Sequence, residues 1–526
     1  MNNVFLRSLI IFAVCVVLAV WLGFLITGPL TMSALTIYGT LAFLLAFPLL
    51  LRWHYPLMLL CWNFYAVAIF VPGRPSLGIT MICLSLGLSL LQRMTSQQHQ
   101  FMRAPQITVV LLAFLLVVAF TAKMNGFGLR IFGGEIYGGK KYFLLVGGIL
   151  GYFALSAQKI PPARRNLYLG LFFLGGVTAA IGDLVGFLPH SFYFIYWFFD
   201  FFSLQQQVVV GERIMRLNGF MIASQAIFTF MLARYGLRGI FLGGKPWRWI
   251  FLMLVVAFGL LGGYRNLTFF LAFLSVIQFF LEGLHRTKLL GIFLALGFAG
   301  AVALIPLAQD LPLGMQRSIS FLPYDISATA KLDAQGTLDW RLNMWKALLP
   351  EIPKYLLLGK GYTINPQDLN FVLGPNSTIR TSAFTQASGL DDPLAIGEAF
   401  HNGPISVLIP FGIWGAIVFI WFILVALRVT YLNHRNGDPD LKTLNTFLLA
   451  AVAAHLVHFL LVGGDLSVDM MVFCGLVGLS VSFNGGVRSA VWAVQPVRQT
   501  RGATRPARLR PTPVPGFPRQ QPGTGR

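Results

Sequence analysis

The chain has 526 residues, of which 56% are hydrophobic and 11% charged, and its mean hydropathy is +0.72. A soluble domain carries about 25% charged residues, so this composition excludes an ordinary soluble protein and indicates one that crosses a membrane many times. The formal net charge of +21 does not indicate nucleic-acid binding, because the basic residues are dispersed over short loops between apolar runs, as in membrane proteins.

A membrane-spanning helix needs roughly 20 mostly apolar residues, and by this measure the chain contains about fourteen candidate spans. The first resembles the core of a signal peptide, but its length and the lack of a small-residue cleavage site favour a retained helix. The sequence therefore predicts an all-α, polytopic membrane protein. In chain order the candidate spans are Leu9–Ile26, Met32–Leu51, Pro56–Val71, Leu77–Leu91, Thr108–Thr121, Tyr142–Leu155, Leu167–Leu188, Phe220–Tyr235, Trp247–Leu261, Leu267–Leu281, Leu289–Leu307, Ile405–Val429, Leu444–Val462 and Met470–Val487.

The distribution of basic residues predicts the orientation of these spans. With the N-terminus in the cytoplasm, most of the 39 basic residues lie on the cytoplasmic side, as the positive-inside rule expects. The loop that carries Lys123, Arg130, Lys140 and Lys141 faces outward and is the exception. The predicted organisation is spans 1 to 11 in residues 1–308, a large outward loop in 309–402, spans 12 to 14 in 403–487, and a basic, Pro- and Arg-rich, disordered cytoplasmic tail in 488–526.

The large outward loop is the only long polar segment between spans, and it holds half of the 18 acidic residues. A polar segment of this length inside a compact protein is usually functional. Within it, Leu342, Trp345, Leu348 and Leu349 recur at helical intervals. This pattern predicts an amphipathic helix over Arg341–Leu349 that lies along the outer membrane surface.

A few residues inside the spans also need an interpretation. The four cysteines lie in apolar runs, and their spacing supports neither a disulfide framework nor a metal site. They are Cys15, Cys61, Cys83 and Cys474. His455 and His458 lie three residues apart and share a helix face, so they are either functional, as intramembrane ionisable residues often are, or joined to another helix by a hydrogen bond.

Three separate segments bring basic residues to the outer surface in this orientation. They are GERIMRLNGF, which contains Glu212, Arg213 and Arg216; GGYRNL, which contains Arg265; and the end of the large loop, which contains His401. An arginine has a planar fork that binds phosphate through two hydrogen bonds, so converging arginines could hold a diphosphate. The alternatives are an interfacial anchor for Arg265 and a helix cap or packing residue for His401.

One spacing along the loop carries more information than these single residues. Trp340 directly precedes RLNMWKALL, which contains Arg341 and Trp345. Gly359 and Gly361 lie in LGKGY, His401 and Asn402 form HN, and Gly412 and Gly415 lie in FGIWG. This set resembles the O-antigen ligase and polymerase superfamily of bacterial membrane enzymes. The resemblance extends more loosely to Arg216 in RLNGF and to Arg265. The chain departs from the family pattern at Ser224 and Gln225, where Pro-Asn is common, and at Tyr264, where serine is usual.

The resemblance implies a metal-independent glycosyltransferase without a cofactor, in the bacterial inner membrane, with an active site that faces the periplasm. Its donor would be an oligosaccharide linked to undecaprenyl diphosphate, and its acceptor a glycan or a lipid. Arg216, Arg265, Arg213 and Arg341 would bind the diphosphate, where charge develops on the leaving group. His401 would take the proton of the attacking hydroxyl. Glu398 would either orient His401 or be a solvated loop charge.

The same sequence leaves two choices open. Ligases and polymerases of this superfamily share the motif, so it does not separate the two activities. A transporter or flippase of lipid-linked sugars would also have about fourteen spans and buried arginines. The single asymmetric outward loop favours the enzyme, since a transporter of this kind carries paired repeats and broken helices in both halves.

Overall fold

The structure is a computed structural model that describes residue 23 and residues 32–71, 74–95, 101–127, 139–199, 205–209, 212–362 and 400–488. Within these residues the chain forms sixteen α-helices, several short 3-10 helices and one two-stranded antiparallel ribbon. Apart from Gly23, the predicted span Leu9–Ile26 lies outside the described residues, and so does the predicted tail beyond Arg488.

The helices are numbered in chain order. They are α1 Met32–Trp62, α2 Leu77–Thr95, α3 Pro105–Asn125, α4 Lys140–Leu155, α5 Arg165–Leu174, α6 Ala179–Val185, α7 Asn218–Phe241, α8 Trp247–Leu260, α9 Arg265–Leu281, α10 Leu289–Leu304, α11 Leu313–Ser318, α12 Ala328–Leu348, α13 Ile352–Tyr355, α14 Gly403–Asn436, α15 Lys442–Leu461 and α16 Leu466–Asn484. The ribbon pairs β1, Gln205–Val209, with β2, Glu212–Arg216.

Eight helical segments of the described chain are long and apolar enough to cross a membrane. This confirms the all-α, multi-pass class. The predicted count of about fourteen spans is larger for three reasons. It includes α4 and the three shorter apolar helices α8, α9 and α10. It also includes the first predicted span, which lies outside the described residues apart from Gly23, and it divides α1 into two spans. The eight segments are Leu44–Trp62, Leu77–Thr95, Pro105–Asn125, Pro162–Val185, Asn218–Phe241, Gly403–Asn436, Pro439–Leu461 and Leu466–Asn484.

The predicted boundary between the second and third spans is wrong. Met32–Leu51 and Pro56–Val71 were expected as separate spans, but residues 32–62 are helical throughout. Within this helix His54 has a partner on the next helix, since His54 Nδ1 lies 2.9 Å from Ser85 Oγ. Prolines are tolerated inside membrane helices where neighbouring groups satisfy the released backbone, and α1 contains two.

The core of the bundle is formed by α15 and α16, which are the most enclosed of the candidate spans. The tightest packing is between α16 and α4. There, a Cβ added to Gly148 would lie 2.9 Å from the backbone nitrogen of Met471, so the two helices approach closely only because this position has no side chain. Phe447 and Phe473, both fully buried, fill the space between the helices that surround them.

The LGKGY segment of the loop is attached to α14 by backbone hydrogen bonds. Gly412 has a φ of +63° and interrupts α14 nine residues after its first residue, Gly403. The carbonyl oxygens of Ile409 and Pro410 lose their helical partners there, and they accept hydrogen bonds from the N–H groups of Lys360 and Gly361 at 2.8 Å each. The positive φ angles of Gly359, Gly361 and Gly412 therefore allow the loop segment to pack against α14 at the point where this helix is interrupted.

Several helices share one end of the bundle, which we call the site end. At this end α4, α7, α9, α14 and α16 begin, while α3, α8 and α15 finish. The loop helix α12 contacts the segments before α7 and after α15 there, through Arg216–Asp333 and Arg341–Val462 contacts. A helix N-terminus carries a partial positive charge and a C-terminus a partial negative one, so termini of both kinds meet at the site end.

Candidate functional site

The centre of the site is a carboxylate held between two arginines. The Arg216 guanidinium donates to both carboxylate oxygens of Asp333 at 3.0 and 2.9 Å, and Arg317 donates its Nε–H to the same carboxylate. Arg317 also donates to the carbonyl oxygen of Gly263 and, at 3.1 Å, to the hydroxyl of Thr337. The three charged side chains are only 4–5% exposed, so this group lies inside the protein.

Two further arginines lie beside this group. Arg265, the first residue of α9, donates to the carbonyl oxygen of Ala334 at 2.9 Å. Arg341 donates to the carbonyl oxygen of Val462 at 3.3 Å, and its Nε is buried without a hydrogen-bond partner among the described residues. Both use neutral carbonyl partners, so neither charge is neutralised by a carboxylate in these contacts.

The contacts between α6 and the start of α7 fix the position of Arg216. Arg216 ends β2, and the glycine of RLNGF, Gly219, then lets α7 begin against α6, because a Cβ there would overlap the carbonyl oxygen of Ala179. Asp183 of α6 accepts a hydrogen bond from Phe220 N–H at 2.9 Å and so satisfies one of the first backbone donors of α7. The start of α7, and with it Arg216, is thereby fixed.

Electrostatic repulsion within the group is visible in the pKa values of its members. Burial lowers the pKa of Arg317 to about 10, the Arg216 charge acts in the same direction, and Asp333 opposes both. Burial also lowers the pKa of Arg341, and the charges of Arg265 and Arg216 add to this effect. Arg317 stays cationic at neutral pH, so the site end holds more positive charge than Asp333 balances.

His401 lies on the other side of Arg341, just before α14. Its φ is +45°, a backbone conformation that is uncommon for residues other than glycine and often found at functional positions. Its ring packs edge-to-face on Trp340 of α12, with the ring centroids 5.6 Å apart. Asn402 caps α14 by accepting a hydrogen bond from Ile405 N–H at 3.0 Å, so the HN motif sets the helix start and the position of His401.

The surroundings of His401 change its acid–base properties. Burial is the main cause that lowers the pKa of His401 to about 4. The charges of Arg341 and Lys141 also lower this pKa, and the Asp465 carboxylate opposes them. The sequence-based expectation relied on the ordinary value of His, and the structure corrects it. At neutral pH the imidazole is uncharged, so it is in the state that can accept a proton.

A partly buried ion pair lies near His401. Lys141 Nζ is 2.7 Å from Asp465 Oδ2, and it also lies over the ring of Tyr362, 5.6 Å from the centroid. This pair explains part of the exception to the charge bias, since Lys141 is neutralised by Asp465 at the site end. The sequence places Lys141 in an outward loop but does not reveal its pairing with Asp465.

One of the two histidines inside the bundle, His455, has the interhelix partner that one of the two interpretations required. His455 Nε2 of α15 is 2.8 Å from Asp469 Oδ1 of α16, which is an interhelix hydrogen bond. Asp469 also accepts from the Asp465 N–H at 2.7 Å. His455 therefore ties the core helices to the segment that holds Lys141, and His458 stacks beside it with the ring centroids 6.2 Å apart.

The predicted site residues are placed as follows. Arg216, Arg265, Arg341 and His401 come together at the site end through their contacts with α12. Arg213 lies in β2 opposite Val208, and its side chain is not described. Glu398 lies outside the described residues. Sequence reasoning missed the roles of Arg317 and Asp333, because a lone Arg and one of many loop acids, sixteen residues apart, give no pattern that joins them.

The side chains at the site end indicate which kind of ligand they could bind. Among the described residues no group of three or more His, Cys, Asp or Glu side chains could hold a metal ion. The polar groups at the site end are instead mainly arginines, which cannot be metal ligands because they carry a positive charge and have no acceptor. The donor set is therefore suited to an anion.

The fold and the site together define a multi-pass helical membrane protein with a buried cationic site at one end of its bundle. Neither a protein-family model nor a curated protein matches this chain.

Proposed function

We propose that this protein is a membrane glycosyltransferase of the O-antigen ligase and polymerase type. It transfers an oligosaccharide from undecaprenyl diphosphate to a glycan or lipid acceptor in surface polysaccharide synthesis, in the bacterial inner membrane, and the site end faces the periplasm. The observation that carries the proposal is the grouping of Arg216, Arg265 and Arg341 beside His401, at the end of an apolar bundle. No nucleic acid, metal or cofactor enters this proposal.

The arginines are suited to bind a diphosphate because their positive charge lies where the anionic group of a membrane lipid would meet the protein. A lipid diphosphate enters from the bilayer, so its anion meets the protein at the membrane surface, where the arginines of the site end lie. Breaking the glycosidic bond adds negative charge to the diphosphate. Fixed positive groups in a site with little water stabilise that developing charge more than water would.

His401 is suited to act as the general base because its imidazole is uncharged before the donor binds. Its pKa, lowered to about 4 by burial and by Arg341, makes it a weak base in the empty protein. A bound diphosphate offsets the charge of the arginines and so raises the pKa of His401. The proton of the attacking hydroxyl can then move to the imidazole as the new glycosidic bond forms and the lipid diphosphate leaves.

The alternative is a transporter or flippase of lipid-linked sugars. Its support is a cavity of about 180 Å³ in the bundle core, lined by aromatic rings and by the polar side chains of Asn63, Gln225, Thr229 and His455. Proteoliposomes with a fluorescent lipid-linked oligosaccharide separate the two functions. A transporter moves the lipid between leaflets without an acceptor, whereas the proposed enzyme leaves its distribution unchanged and makes a longer or acceptor-linked glycan when an acceptor is added.

The proposed orientation predicts the result of reporter fusions. Reporters that are active only in the periplasm should be active when fused near Asp333 or Gln367 and inactive near Arg238 or Asn436. The reason is that Asp333 lies at the site end, whereas Arg238 and Asn436 lie near the opposite ends of α7 and α14. A cytoplasmic reporter at the same positions is the control and should give the reverse pattern. Periplasmic activity at Arg238 would contradict the proposed location of every site residue.

The lowered pKa of His401 predicts an unusual pH dependence. For a group that must be uncharged to act, kcat/KM falls as the pH drops through the pKa of the free enzyme. With the pKa lowered to about 4, kcat/KM should stay constant from pH 8 to about 5, and fall only below it. The unfolding temperature measured over the same range is the control. A fall centred near 6.5, the ordinary pKa of His, would show that His401 is not the group that titrates or is not buried as described.

A further inference from the structure

The arginines at the site end outnumber the acid that faces them. Arg216 and Arg317 share the Asp333 carboxylate, while the contacts of Arg265 and Arg341 are with backbone carbonyl oxygens. Among the described side chains in these contacts, four arginines face one carboxylate, which leaves an excess of three positive charges in a mostly buried region. Buried charge without compensation is costly, so a protein that holds this excess is prepared to receive an anion.

The carboxylate of Asp333 meets donors of two different arginines. Its two oxygens lie 3.0 and 2.9 Å from one guanidinium nitrogen of Arg216, and one of them also meets Nε of Arg317. The N–H groups of arginine donate to the oxygens of carboxylates and of phosphates alike. Asp333 therefore occupies a position in which the oxygens of a diphosphate would satisfy the same donors.

We infer that Asp333 is an internal counter-ion that holds Arg216 and Arg317 in the empty protein and is exchanged for diphosphate oxygens when the donor binds, so that Arg317 is a further diphosphate-binding residue. This inference rests on the proposed function. It adds two residues, on α11 and α12, that the sequence motif does not include.

The exchange has a consequence for release of the product. The donor diphosphate is esterified at both ends and carries two negative charges, whereas the lipid diphosphate that leaves carries up to three, because its terminal phosphate has a second ionisation near neutral pH. Arginines therefore hold the leaving group more tightly than the donor. A carboxylate that returns to Arg216 and Arg317 competes with the bound product and speeds its release.

The helix that carries Asp333 allows this exchange. Asp333 lies near the N-terminal end of α12, five residues after its first residue Ala328. The preceding segment is joined to α11 through the Gln316 side chain, which accepts a hydrogen bond from Ser327 N–H at 2.7 Å. A rotation of the Asp333 side chain, or a small shift of this end of α12, is enough to release both arginines, while Arg341 two turns further on keeps its contact with Val462.

The experiment measures binding of inorganic pyrophosphate to the full-length protein in nanodiscs, so that no chemistry is involved. Asp333→Asn keeps the shape of the side chain and removes its charge. We expect it to bind pyrophosphate at least tenfold more tightly than the wild type, because the competing anion is gone. Arg317→Ala should weaken binding as strongly as Arg216→Ala does. The matched control is Asp339→Asn, an exposed acid on the same helix, which should leave binding unchanged.

Contrary results have a clear meaning. If Asp333→Asn, with an unchanged unfolding temperature, binds pyrophosphate no more tightly than the wild type, Asp333 is not a competing anion and the inference fails. If Asp333→Asn unfolds, Asp333→Glu serves as the second variant: a longer carboxylate that displaces the arginines should alter pyrophosphate affinity by several-fold, and an unaltered affinity also overturns the inference. If Arg317→Ala binds normally, Arg317 is not a ligand.

A second measurement separates this inference from the proposed function. In transfer assays Asp333→Asn should complete its first turnover at the wild-type rate and then slow at least tenfold, because product release has become limiting. Equal rates in both phases would contradict the role in release. If the wild type transfers no oligosaccharide but pyrophosphate binding follows the predicted order, the proposed function fails while the exchangeable anion site stands.

Discussion

Replacing Arg216 or Arg265 with alanine is expected to reduce oligosaccharide transfer by at least about 10²–10³-fold, the loss seen when one donor to a developing charge is removed. Each guanidinium holds the diphosphate and stabilises the charge that it gains as the glycosidic bond breaks. Lysine should restore only part of the activity at either position, because an ammonium group lacks the planar fork of arginine. Transfer and donor binding are measured separately, with purified protein in nanodiscs.

The control for this result is Arg435→Ala, which removes an exposed arginine at the opposite end of α14 and should leave both quantities unchanged. The unfolding temperature of each variant shows whether a loss of activity reflects a loss of folding, which matters for Arg216 because it is paired with Asp333. If Arg216→Ala and Arg265→Ala both fold and turn over normally, the diphosphate binds elsewhere, and the transporter becomes the better account.

His401→Asn is expected to reduce transfer by about 10²–10⁴-fold, the usual contribution of a general base, and to change donor binding little. A base acts on the acceptor proton in the transition state and contributes little to holding the donor. Asparagine is the preferred substitute because it tolerates the positive φ of this position better than most residues do. The measurement is again transfer and donor binding, side by side.

His190→Ala supplies the matched control, because His190 is exposed and lies in the short 3-10 helix after α6. It should keep wild-type transfer. His401→Asn with normal turnover would remove the proposed base from the mechanism. A variant that loses donor binding as strongly as it loses transfer would instead assign His401 to holding the donor.

The parts of the fold that depend on apolar composition could be predicted from the sequence. Long apolar runs predicted α2, α3, α15 and α16 to within about four residues at each end, because burial of apolar surface in a bilayer leaves few other solutions. The helices α7 and α14 extend six and seven residues beyond their predicted C-terminal ends. The division of α1 was wrong, since the two apolar runs and the polar residues between them form one continuous helix.

The loop helix α12 shows the limit of reading apolar periodicity. The pattern in Arg341–Leu349 predicted a helix, but α12 begins at Ala328. Its first half buries small and polar residues at helical intervals, including Ala330, Asp333 and Ala334. Asp333 and the carbonyl oxygen of Ala334 contact arginines, whereas Ala330 packs in a small cluster with Ala308 and Ile326. A helix face that is complementary to charge has no apolar stripe, so hydropathy does not reveal it.

The candidate site was predicted only where a motif marked it. The HN, GKG and paired-glycine spacings pointed to His401 and to the segments around it. The structure gives these glycines a physical reason in the docking of the loop on the broken α14. Arg317, Asp333 and Lys141 could not be found in this way, because their roles depend on contacts between residues far apart in the chain.

The proposed activity is tested most directly by a transfer assay. Purified protein in nanodiscs would be mixed with an undecaprenyl-diphosphate oligosaccharide and a glycan or lipid A-core acceptor, in the presence of a metal chelator. Donor oligosaccharide should appear on the acceptor, or as a lengthened lipid-linked chain, with free undecaprenyl diphosphate released in equal amount, and Arg265→Ala should form neither product. A protein that binds the donor but releases no undecaprenyl diphosphate with any of these acceptors would contradict the proposed glycosyltransferase activity.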